Sequence, residues 1–188
     1  MGENNPLGIL GENAFADICN KFGCEHLHIR QGPGVEYSDK MRETGQKRPD
    51  FLVNIPNLTS LFVDVKVRPA IPAGVASILS GEEAFSVDFK DFLKMKALEN
   101  RMRISTWYAF IKKKNENEIY GSKIYLVPLS RVEKNIPSHI REKMLGKEEV
   151  KWDYIRIPFK CMNDWDTSID LSDKCRGCPH NFCLMDSK

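Results

Sequence analysis

Apolar positions in this chain fall first into a helical rhythm and then into an alternating one. Leu7, Leu10, Ala14, Ile18 and Phe22 recur at three- and four-residue steps, which predicts an amphipathic helix over 6–22, closed by Gly23. Residues 24–30 (CEHLHIR) then alternate as a strand does, and a polar, glycine- and proline-bearing loop follows to Pro49. A second strand is expected over 50–55 (DFLVNI). The third, SLFVDVKVR over 60–68, alternates most clearly: Leu61, Val63, Val65 and Val67 on one side, Phe62, Asp64, Lys66 and Arg68 on the other. The turn chemistry of residues 54–59 pairs strands two and three as an antiparallel hairpin, which brings Asp50 toward Asp64 and Lys66.

Beyond a proline-rich break at 69–74, Ser80-Gly-Glu-Glu83 fits a capping box, and a helix is expected from there to Met102. Phe85, Phe89, Phe92 and Leu93 form its apolar face; Lys90, Lys94, Lys96, Arg101 and Arg103 lie opposite, as a solvated surface or a contact for backbone phosphates. ISTWYAFI (104–111) reads as a strand buried on both faces, and KIYLVPL (123–129) as another. A short helix over 137–145 and a strand over 152–159 complete the order. Helix, three strands, helix, two strands, helix, strand describes a mixed α/β (α+β) fold with an antiparallel hairpin, not a repeated βαβ unit.

Composition narrows the class. The chain has 188 residues, 41% hydrophobic and 29% charged, which fits one globular domain with a small appendage. Its net charge of +2 permits a nucleic-acid partner without requiring one. No apolar run approaches the roughly 20 residues of a membrane span. The N-terminal MGENNPLGIL lacks the pattern of a secretory signal. An intracellular, cytoplasmic location is therefore expected, where six cysteines read as thiols or metal ligands before disulfides.

Asp64 and Lys66 share a strand face about 6–7 Å apart. Such a pair is either an exposed ion pair or part of a site. Glu12 by itself reads as a solvated helix carboxylate, and His26, His28, Cys19 and Cys24 as core or edge residues. Taken together, however, Glu12 on a leading helix, Pro49-Asp50 at the start of a second strand and Asp64-Val65-Lys66 on the third resemble the PD-(D/E)XK, or restriction-endonuclease-like, nuclease superfamily. The resemblance covers residues 6 to 130. It implies a core of a mixed central sheet with flanking helices, and a nuclease that hydrolyses DNA phosphodiester bonds with Mg²⁺ (or Mn²⁺).

Under that resemblance Asp50, Asp64 and the carbonyl of Val65 hold the metal. Lys66 orients or deprotonates the attacking water, and Glu12 positions a metal-bound water or completes a second metal site. The glutamine and tyrosine that RecB-type members carry on the helix after the triplet are missing from SVDFKDFLKMKALE. The alternative is a nucleic-acid-binding or interaction module with this fold and a Cys-ligated structural metal.

The C-terminal Cys175-Arg-Gly-Cys178-Pro-His-Asn-Phe-Cys183, with Cys161 upstream, has the spacing of a structural Zn²⁺ or iron–sulfur site. It resembles the [4Fe–4S] tail of several RecB-like nucleases, although Cys161 follows the core instead of preceding it. Reduced surface thiols are the plainer reading. The expected organisation is a nuclease-like domain over 1–160 and a Cys-rich metal-binding tail over 161–188, with DNA as partner and a homodimer allowed.

Overall fold

The computed structural model describes residues 6–29, 47–55, 59–74, 81–138, 140, 142 and 154–166, with main chain alone at 121, 122 and 163–166. Helix α1 (Pro6–Lys21) is followed by β1 (Glu25–His28), β2 (Phe51–Asn54) and β3 (Ser60–Arg68). These three strands form the expected antiparallel meander, with Phe51 opposite Val63 and His28 opposite Phe51. Next come the short β4 (Ile71–Pro72), β5 (Glu83–Asp88) and helix α2 (Phe89–Met102). Strand β6 (Thr106–Lys113) lies parallel to β3, and β7 (Ile119–Pro128) returns antiparallel to β6. A short helix α3 (Leu129–Lys134), strand β8 (Tyr154–Pro158), a single 3₁₀ turn (Phe159–Cys161) and β9 (Asn163–Asp166) follow.

Among the described residues the strands make a mixed six-stranded sheet, β1-β2-β3-β6-β7-β9, and a three-stranded sheet, β4-β5-β8. The parallel β3–β6 pair is what makes the central sheet mixed. Its connection runs through β4, β5 and α2, long enough for the crossover that parallel strands require. The architecture is mixed α+β, as the order of elements predicts, with helices flanking a mixed central sheet, as the resemblance implies.

Two apolar clusters sandwich that sheet. On one side α1 places Phe15, Ile18 and Cys19 against Phe51, Val53, Val63, Trp107, Ala109 and Ile111. On the other, Phe85, Phe89, Phe92 and Met95 pack with Tyr108, Phe110 and Val127. Residues 106–111 of β6 are buried throughout, matching the two-sided burial expected of ISTWYAFI. Gly11 lets α1 approach β3 closely: a Cβ there would stand 2.5 Å from Val67 Cγ2. Just past the helix end at Lys21 the chain turns at Gly23, whose φ of +66° is a left-handed conformation that costs glycine little.

Four expectations are corrected. The helix proposed to begin at the capping box begins instead at Phe89, because EAFSVD alternates as a strand with Ala84, Phe85 and Val87 buried. Asp88 caps it, accepting from the Lys90 and Asp91 amides. Leu93, assigned to its apolar face, is 41% exposed. Strand β7 starts at Ile119 and not at Lys123, and helix α3 occupies 129–134, where no helix was expected. The end of the expected 137–145 helix, and Ser80, lie outside the described residues.

Candidate metal and phosphodiester site

Asp50 stands where β2 begins, and its main chain is clamped on both sides. Its N–H donates to Val63 O (3.0 Å), and its carbonyl accepts from the Ile29 N–H (2.7 Å). Its carboxylate turns toward β3, where Oδ2 accepts from the Val65 N–H at 2.7 Å. The side chain thus continues the ladder where the main chain leaves it, and the hairpin register puts this carboxylate beside the Asp64-Val65-Lys66 triplet.

Asp64 is completely buried, so the reading of Asp64 and Lys66 as an ordinary exposed ion pair does not hold. Phe62, Asp64 and Lys66 lie opposite Thr106, Tyr108 and Phe110 of β6, on the sheet face that α2 covers. Burial of a carboxylate requires compensation, and two ammonium groups supply it. Lys66 Nζ lies 2.7 Å from Asp64 Oδ2. Lys47 Nζ lies 2.8 Å from Asp64 Oδ1 and 3.0 Å from Oδ2. Both lysines also reach Asp91 in the first turn of α2: Lys47 at 2.9 and 3.1 Å, Lys66 at 3.1 Å. Asp64, Lys47, Asp91 and Lys66 therefore form a closed ring of alternating charge.

The electrostatics follow from this crowding. Burial raises the Asp50 pKa, the Asp64 charge raises it further, and it reaches about 7 although the Val65 amide, Lys47 and Lys66 pull the other way. Burial would lower the Lys47 pKa, but the Asp64 and Asp91 carboxylates outweigh it and hold the ammonium above the ordinary lysine range. Burial would raise Asp91, but Lys66 and Lys47 hold it below the usual carboxylate range. Burial and the neighbouring Asp91, Asp64 and Asp88 charges push the Tyr108 phenol far upward. Tyr108 is thus a neutral wall of the site, and its buried hydroxyl makes no hydrogen bond.

The structure gathers Asp50, Asp64 and Lys66 as the sequence pattern proposed. Glu12 makes its contact elsewhere: its Oε2 lies 2.7 Å from His28 Nε2 on β1. His28 in turn stacks on Phe51, with ring centroids 4.7 Å apart. Because the next residue, Ile29, donates to the Asp50 carbonyl, this pair adjoins the site without entering the charged ring. Cys19 is buried and its pKa is pushed up to about 12, by burial and then by Cys24, which suits a core thiol. Cys161 is half-buried; Cys175, Cys178 and Cys183, proposed with it as Zn²⁺ or iron–sulfur ligands, lie outside the described residues.

Lys47 and Asp91 were missed by sequence reasoning. The signals were faint: a cation shortly before Asp50 in KRPD, and an acid in the first turn of a helix, where such residues are common anyway.

Whether a divalent cation fits can be judged from the donors. Two hard carboxylates are close enough that one drives up the pKa of the other, and the buried Asp64 Oδ1 has no hydrogen bond, only the Lys47 charge nearby. Such a deficit suits Mg²⁺ or Mn²⁺, which is commonly held by one or two carboxylates with waters. Among the described residues no three His, Cys, Asp or Glu side chains gather as a complete metal cage. The pair would therefore be completed by main-chain and water oxygens.

A comparison with known proteins finds no matching family model and no matching curated protein. Among solved structures, the chain is similar to Hjc, a Holliday junction resolvase from the archaeal hyperthermophile Archaeoglobus fulgidus. The TM-score is 0.47 and the identity 12%, over 80% of this chain and 88% of the resolvase. It is also similar to a nuclease from a fusellovirus, with a TM-score of 0.35 and 12% identity, over 93% of this chain and 89% of that one.

Proposed function

We propose that this protein is a metal-dependent nuclease of the restriction-endonuclease-like type, hydrolysing phosphodiester bonds of DNA. One observation carries the reading: a buried Asp64, with Lys66 at 2.7 Å, facing an Asp50 whose carboxylate is anchored on the Val65 amide. A structural ion pair needs no second carboxylate beside it, whereas a cation site does.

In this reading Asp50 and Asp64, with the Val65 carbonyl, hold Mg²⁺ or Mn²⁺. The ion would supply Lewis acidity toward the scissile phosphate and its attacking water. Lys66, fixed between Asp64 and Asp91, orients that water and meets the negative charge that builds on the phosphoryl oxygens. Glu12 and His28 line the neighbouring rim, where Glu12 orders water at the edge of the site. The exposed Lys90 and Lys94 on α2 offer contacts to the backbone phosphates of the substrate.

The test is a substrate panel of single-stranded, duplex and branched DNA and RNA, each with Mg²⁺ and with Mn²⁺. Wild-type protein should cleave DNA. Asp64→Ala and Lys66→Ala should each reduce cleavage by about a thousandfold or more while leaving DNA binding in place. Cleavage that survives both substitutions would refute the site.

A further inference from the structure

Lys47 occupies an unusual position. Its ammonium touches all four carboxylate oxygens of Asp64 and Asp91, at 2.8 and 3.0 Å and at 2.9 and 3.1 Å. Two carboxylates gripping one compact charge in this way have the form of a small cation-binding clamp whose occupant is a side chain. The contact to Asp64 Oδ1 is one of charge only, since that oxygen is buried and makes no hydrogen bond. The same oxygen belongs to a residue assigned above to the metal, so a divalent ion and the Lys47 ammonium compete for it.

We propose that Lys47 is a resident counter-ion of the metal site, which a divalent cation displaces from Asp64 on binding, while Asp91 keeps hold of the released ammonium. This rests on the metal-site reading given above and adds a loading step to it.

Charge balance supports the division of labour. Asp50, Asp64 and Asp91 face Lys47 and Lys66, so a dication entering beside two ammonium groups meets strong repulsion unless one of them moves away. Asp91 is placed to limit that repulsion, because it contacts both lysines and lies on a different element from the two proposed ligands. Lys66 needs no such movement: it touches Asp64 through Oδ2 and leaves Oδ1 to Lys47. Lys47 thereby keeps Asp64 compensated in the metal-free protein and gives up its place when the metal arrives. Asp91 is a positioning residue here, not a ligand.

Two measurements on the full chain test this. In the first, Mn²⁺ affinity is read by electron paramagnetic resonance for wild type, Lys47→Gln and Asp91→Asn. Removing the competitor should tighten Mn²⁺ binding about tenfold, and removing Asp91 should weaken it by a similar factor, the low end of the roughly 1–3 logarithmic units by which a neighbouring charge shifts proton binding at a carboxylate. In the second, wild-type protein is acetylated with and without saturating Mg²⁺, and the rate at Lys47 is compared with that at the exposed Lys94. Lys47 should react faster with Mg²⁺, and Lys94 should not change.

Tighter Mn²⁺ binding in Lys47→Gln without a change in Lys47 reactivity would mean that Lys47 only adds charge, and displacement is wrong. Unchanged or weaker binding in Lys47→Gln also overturns it. If Lys47→Gln does not fold, the acetylation arm decides alone. No Mn²⁺ binding by any form defeats the metal-site reading together with this one, whereas normal wild-type binding with an unresponsive Lys47 defeats only the inference.

Discussion

Asp50 shows how the surroundings of a single carboxylate set its protonation. Its neighbours permit it to be charged only at a cost, because burial and Asp64 together lift its pKa from 3.8 to about 7. The folded metal-free protein therefore binds a proton at Asp50 more readily than the unfolded chain does between about pH 4 and 7. Stability associated with this group is fully present only below about pH 4 and is lost progressively as pH rises from there through 7. Asp50→Asn, whose amide oxygen can still accept from the Val65 N–H, should accordingly change little at about pH 4. It should stabilise the protein at pH 8 in EDTA by on the order of 2 kcal/mol. Thermal denaturation of both forms at the two pH values checks this; equal differences at both pH values would remove the repulsion argument.

Asp50, Asp64 and Lys66 could be picked out in the sequence because strand alternation and one hairpin bring them together. Lys47 and Asp91 could not, since they meet across 44 positions of chain and belong to no local pattern. Glu12 was placed on the correct helix, yet only the register of β1 reveals His28 as its partner.

At the scale of elements, the site depends on how α1 and α2 hold β3 from opposite faces. Gly11 lets α1 sit directly on Val65 and Val67, the neighbours of Lys66 in the strand. Gly11→Ala should force the helix off β3 and cost about 1–3 kcal/mol, with a loss of cleavage larger than the loss of folded protein explains. Circular dichroism melts alongside cleavage rates give both numbers. On the other face, Asp88 caps α2 and fixes the turn that carries Asp91. Asp88→Ala should cost about 1 kcal/mol and loosen the ring around Lys66, which chemical denaturation and the cleavage rate would report.

The start of α2 was misread from sequence because Phe85, Phe89 and Phe92 satisfy helical spacing, while Phe85 and Val87 equally satisfy alternation. What decides between them is tertiary: β5 pairs with β4 and β8, and β8 lies almost 70 residues further along the chain in sequence, so no local window contains it. The β1–β3 meander needed no such distant partner, and its hairpin could be read directly.

Across the whole molecule, the charged ring sits against an otherwise apolar layer between the central sheet and α2, with Phe89, Phe92, Tyr108 and Phe110 in the cluster beneath it. A buried ring of two acids and two bases with a further acid beside it is a poor way to stabilise a fold, since apolar side chains of like volume would do as well. A ring of this kind at the junction of β2, β3 and α2 is accounted for if the folded state gains its full stability only with a cation bound. Ligand linkage then predicts the result: saturating Mn²⁺, at about 100 times its Kd, should stabilise the wild-type fold by about 2.7 kcal/mol. Asp64→Asn leaves Lys47 and Lys66 to share Asp91, so its baseline melting temperature should fall. The informative quantity is therefore the increment with Mn²⁺, measured by scanning calorimetry for each form against its own metal-free baseline. That increment should vanish in Asp64→Asn and persist in Glu12→Gln, whose side chain is joined to His28 outside the ring. An increment that survives in Asp64→Asn would place the stabilising metal somewhere else in the chain.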